Sequence, residues 1–67
     1  MKYNTFKSNV NHIIYIRGRS FLSYPIFKDH CGYIDRHWFH FQARKMVEDG
    51  LLKEPRKVSN VLIYEPI

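Results

Sequence analysis

Residues 35–52 read DRHWFHFQARKMVEDGLL, and the way this stretch coils decides what the rest of the chain presents to a partner. Asp35 is a helix-capping residue type, and Gly50 stands where a helix ends in a left-handed residue. No proline or glycine interrupts the residues between them. The spacing predicts a helix that Asp35 caps and that runs to Asp49. At about 100° per residue, Trp38, Phe39, Gln42, Ala43, Met46 and Val47 fall on one side, with Arg36 at its edge. His37, His40, Phe41, Arg44, Lys45 and Glu48 fall on the other. Two aromatics therefore serve a core, and Phe41 is stranded among cations.

The neighbouring segments read outward from this helix. Residues 5–17 place Phe6, Val10, Ile13, Ile14 and Arg17 at helical spacing, with Thr5 or Ser8 as cap and Gly18 as stop. HIIYI within it is also rich in β-formers. RSFL reads as a short extended piece. Ser23 caps a second helix with Pro25 in its first turn, Phe27 and Cys31 on its buried side, and Gly32 at its end. Downstream, LLKE and VLIYE are β-type runs separated by PRKVSN, which reads as the turn of a hairpin. The order is helix, short strand, helix, helix, hairpin, and the length predicts one domain over residues 1–67.

At this length, only about 60% of the unfolded surface is buried on folding. Hydrophobic content of 45% and aromatic content of 16% nevertheless argue for a packed core. Eleven Lys and Arg against six Asp and Glu give a net charge of +5, which favours a polyanionic partner. No apolar run approaches the roughly 18 residues of a membrane span, and the basic start leads into no signal-type segment. The single cysteine excludes an internal disulfide and fits a reducing compartment, so a cytoplasmic location is expected, that of a host cell if the protein is viral.

PIFKDHCG, followed by DRHWFHFQARKMVEDGLL and a basic hairpin, resembles the winged helix-turn-helix family. Met46, Val47, Gly50, Leu51 and Leu52 match the phrase that closes the family's recognition helix and leads into its wing. Cys31-Gly32 stands where the second helix would end. The likeness covers roughly residues 8–65. It implies an α+β domain of three helices with a C-terminal β-hairpin wing, a small double-stranded-DNA-binding protein and transcriptional regulator. Its recognition helix would carry Arg36, His37, His40, Phe41, Arg44 and Lys45 into the major groove. Its wing, around residues 53–60, would bring Lys53, Arg56, Lys57 and Asn60 to the neighbouring backbone. Arg bonds guanine edges, Lys and His reach bases or phosphates, and an apolar ring meets a thymine methyl or deoxyribose.

Other chemistry is weaker. His37 and His40 are three apart and His30-Cys31 lies upstream, yet no C-x-x-C or H-E-x-x-H pattern accompanies them, so neither metal nor cofactor is expected. Cys31 reads as core filler rather than nucleophile, no glycine-rich phosphate loop is present, and a non-enzyme is expected. Arg44 and Lys45 also have ordinary partners available in Glu48 and Asp49. Tyr3, Phe6, Tyr15 and the terminal YEPI offer a candidate homodimer contact. A second reading, drawn from size and composition, is a virus-encoded winged-helix protein that binds a host protein rather than DNA, with Phe41 as its anchor.

Overall fold

Helix α1 spans Tyr3–Asn11 and runs on into a five-residue π-helical turn, His12–Ile16. Strand β1 (Leu22–Ser23) leads into α2 (Tyr24–Cys31), then α3 (Arg36–Glu48), β2 (Arg56–Val58) and β3 (Val61–Tyr64). This computed structural model describes residues 1–67. The class is α+β, with three helices and one antiparallel sheet in the order β1–β3–β2. In that sheet Leu22 lies opposite Tyr64, and Arg56, Lys57 and Val58 lie opposite Ile63, Leu62 and Val61.

Local chemistry sets the helix boundaries. The Ser23 hydroxyl accepts from the Ile26 N–H at 3.4 Å, and the Asp35 carboxylate accepts from the Trp38 N–H at 3.1 Å. Both satisfy a donor that the first helical turn leaves free. At the far end of α3, Leu51 N–H donates to Met46 O (2.9 Å) and Gly50 N–H to Val47 O (3.0 Å). Gly50 adopts φ +77°, the left-handed conformation this double bond requires and one that favours glycine. Asp49 is the C-cap, so the helix proper stops at Glu48.

Two expectations about the elements need correction. The first helix starts at Tyr3 with no side-chain cap, so Thr5 and Ser8 do not open it. Its end widens to π geometry, with Arg17 N–H donating to His12 O at 2.9 Å. The wide turn keeps Val10, Ile13 and Ile14 buried together and leaves Tyr15 and Ile16 outside. The hairpin is also shifted. LLKE is not a strand and contributes one isolated bridge, Leu52 to Pro66, while RKV, expected within the turn, forms β2. The turn is Ser59-Asn60, with φ of 50° and 66°, the conformation that suits the twist of a two-residue hairpin loop. Asn tolerates that region through its short polar side chain.

The core is aromatic at its centre. Phe6 of α1, Phe27 of α2 and Phe39 of α3 are fully buried, with centroid separations of 4.7 Å (Phe6–Phe27), 5.7 Å (Phe6–Phe39) and 5.4 Å (Phe27–Phe39). Tyr24 and Tyr64 meet Phe39 edge-on. Gln42 is the one buried amide of α3. Its Nε2 donates to Met1 O at 2.9 Å, while Oε1 has no partner, a local cost to the packing. Trp38 does not join the core as expected. It is 40% exposed, because its position lies at the edge of the buried stripe, about 100° from Phe39. Phe39→Ala is expected to cost about 3–5 kcal/mol, enough to leave the domain largely unfolded. Trp38→Ala is expected to cost only about 1 kcal/mol, as loss of an aromatic pair does. Urea titration of the two variants checks this.

Candidate nucleic-acid interface

Phe39, Gln42, Ala43 and Met46 turn inward, so the opposite side of α3 is left to solvent. Its outermost residues are His37, Phe41, Arg44 and Glu48, all exposed. The two flanks of this ridge differ in chemistry.

On the flank toward α1, Phe41 is 46% exposed and stacks on Trp38, with centroids 5.1 Å apart and ring planes 10° from parallel. The expected lone ring is thus half of an exposed pair. The Lys45 ammonium lies 4.9 Å from the Phe41 centroid and 5.5 Å from that of Tyr3, and Lys7 covers Tyr3 at 4.8 Å. Cations and rings alternate along this flank, each pair a weak attraction at an exposed site. The Tyr3 hydroxyl donates to Asp49 at 2.5 Å, and burial together with that carboxylate pushes its pKa up to about 12. The Trp38 indole N–H donates to Met1 O at 3.3 Å.

On the flank toward the hairpin, Arg36 lies 5.1 Å from the Tyr24 ring, and His40 Nδ1 shares a 2.8 Å hydrogen bond with the Tyr64 hydroxyl. Between α2, α3 and the hairpin turn lies a notch of about 260 Å³. Tyr24, Arg36, His40, Lys57 and Asn60 line its polar side, and Pro25, Val61 and Leu62 its apolar side. Four residues expected to contact DNA therefore converge here, from two separate elements.

The other expected residues are not all available. Arg44 is paired with Glu54 at 2.6 Å and Arg56 with Glu65 at 3.1 Å. Glu48 and Asp49, the partners the helical spacing offered, are passed over: Glu54 takes Arg44, and Tyr3 takes Asp49. Lys53 is exposed but precedes the hairpin instead of lying on its tip. The candidate dimer contact also changes. Phe6 and Tyr64 are buried inside the monomer, and of the aromatics proposed for it only Tyr15 is widely exposed. No helix is long and apolar enough to cross a membrane.

Two features gave no sequence signal. The notch arises only when the hairpin folds back on α3. At the other end, His12 and His30 stack 4.9 Å apart, and Arg17 Nη1 donates to His30 Nδ1 at 3.1 Å, which requires that nitrogen to be unprotonated. Cys31 is half-buried against the core, and burial pushes its thiol pKa up, away from the reactive thiolate. No family model, curated protein or solved structure shows a significant match to this chain.

Both bonded histidines hold a pKa below the ordinary 6.5. For His40 the causes are burial, then Arg36 and His37 on its own helix; for His30 they are burial, then His12 and Arg17, with Asp29 opposing. Tyr64 from β3 and Lys57 across the notch supply no compensating negative charge to His40 at neutral pH. The unfolded chain thus takes up protons first as the pH falls. Stability should therefore decrease from about pH 7 to pH 5, and His40→Gln should remove part of that decrease. Urea midpoints for the two proteins across that range check the sign.

Proposed function

We propose that this chain is a winged-helix DNA-binding module, a non-catalytic regulator that lays the exposed side of α3 into the major groove. The observation that carries the reading is the bare ridge of α3, with cations lying along both its flanks. Two of the eleven Lys and Arg residues form ion pairs, so most of the positive charge is free to meet phosphate. The element order, with a β2–β3 hairpin following α3, is the order the family resemblance expects, and the His40–Tyr64 hydrogen bond ties β3 to α3. His37 and Phe41 would face base edges, and Lys45 and Lys53 the backbone. A module this small buries about 600–1,000 Å² on DNA, so tight operator binding calls for a second copy or a partner.

One observation favours the alternative, a host protein partner. The stacked Trp38–Phe41 pair is a preformed aromatic surface of the kind that anchors protein interfaces. Fluorescence anisotropy on a labelled duplex across a salt series separates the two. On the DNA reading, Lys45→Glu and Lys53→Glu should each lower the salt slope by about one, and Glu54→Gln, which frees Arg44, should strengthen binding. Wild-type affinity that is weak and indifferent to salt would reject the DNA reading. Loss of a protein partner in Phe41→Ala would then support the alternative.

A further inference from the structure

We propose that the notch between α2, α3 and the hairpin is a binding site for a phosphate ester, with the phosphate between Arg36 and Lys57 and the attached sugar or ring against Pro25 and Leu62. Three observations bear on this. Two permanent cations reach one concavity from different elements, and no carboxylate lines it. Such a pair repels itself unless an anion lies between the charges. Arg36 is held over the Tyr24 ring, whose hydroxyl donates to Ile34 O at 2.6 Å, so the guanidinium is placed before any ligand arrives. The Ser59-Asn60 turn sets Asn60, whose amide adds a neutral donor, beside the Lys57 strand.

The lining also selects the ligand. A terminal phosphate offers three acceptor oxygens to three donor-bearing side chains, where a carboxylate or a backbone phosphodiester offers two. About 260 Å³ is far more than one phosphate fills, and Pro25, Val61 and Leu62 add apolar lining for the group it is attached to. His40 borders the site in its neutral form, with Nδ1 engaged by Tyr64. A bound phosphate anion would favour the imidazolium, more strongly for a doubly charged terminal phosphate than for a singly charged backbone diester, so loading should draw a proton onto that ring.

The phosphate has two sources, the backbone of a nucleic acid or a free nucleotide, and the polymer source alone rests on the DNA reading above. The test is nuclear magnetic resonance titration of the full chain with inorganic phosphate, adenosine monophosphate and a short duplex. Expected are shifts at the Asn60 side-chain amide and the His40 ring, a rise in the His40 pKa on loading, and an affinity reduced about tenfold by either Arg36→Gln or Lys57→Gln. Arg19→Gln, exposed and outside the notch, should leave nucleotide affinity unchanged. Both notch cations are exposed, so the variants should keep the native amide dispersion. Response to the duplex alone assigns the site to backbone phosphate. Response to the nucleotide without duplex binding keeps the site and removes the DNA reading. Shifts absent from Asn60 and His40 with every probe, or unaltered in both variants, overturn the proposal.

Discussion

Phe6, Phe27 and Phe39 meet at the junction of the three helices, and which side of α3 faces solvent follows from how they pack. Each helix contributes one ring to a shared centre from which water is excluded. In a chain of 67 residues there is no second core to compensate if one ring is lost. Phe39 has the most partners, since Tyr24 and Tyr64 also lean on it, so the sheet is referred to the same point as the helices. Fixing Phe39 inward fixes the rotation of α3. At 3.6 residues per turn, the side then directed outward carries His37, Phe41 and Arg44.

That rotation explains why the positive charge is divided as it is. Side chains on the α1 flank find rings, and Lys45 and Lys7 settle over Tyr3 and Phe41. On the hairpin flank the outcome is mixed: Arg36 also lies over a ring, that of Tyr24, while Arg44 meets the Glu54 carboxylate. Such an exposed pair adds little to stability, because both groups are already well hydrated, and it exchanges readily for a stronger anion. Cations over rings keep their full charge available. The flank toward α1 therefore stays electropositive even where it is covered, whereas Arg44 and Arg56 are partly neutralised until their carboxylates are displaced.

Much of the fold was legible because it rests on local chemistry. Ser23, Asp35 and Gly50 mark helix ends through hydrogen bonds within a few residues, and the alternation of Phe39, Gln42, Ala43 and Met46 marks the inner face of α3. What was misread depends on tertiary contacts. Arg56, Lys57 and Val58 are all exposed, so their strand shows no alternation of apolar and polar residues and resembles a loop. Ser-Asn is also a weaker hairpin signal than Asn-Gly. Trp38 lies on the boundary of the helical stripe, where the wheel alone does not choose between core and surface. The π turn accompanies the burial of Ile13 and Ile14 with Val10 in the core, which no local pattern announces. Of the candidate site, the ridge of α3 was readable from periodicity. The notch was not, because Arg36 and Lys57 are 21 positions apart in the chain and meet only through the β2–β3 fold.

The rigidity of this surface bears on what it binds. α3 is pinned at one end by the Asp35 cap and at the other by the double bond around Gly50, and the hairpin closes on a two-residue turn. A partner therefore meets groups already in place, and little ordering free energy is lost on contact. The two flanks impose a joint requirement: anionic groups on the hairpin side, and flat or apolar surface mixed with anions on the α1 side. On the proposed DNA reading, a duplex groove would meet both at once, since its walls are phosphates and its floor mixes polar base edges with thymine methyls beside the sugars. An acidic protein surface meets the second more easily than the first, because carboxylates on flexible side chains lose rotamer freedom when drawn into a notch. Under the DNA proposal, this asymmetry would set a polyanion of regular geometry ahead of a protein of matching charge.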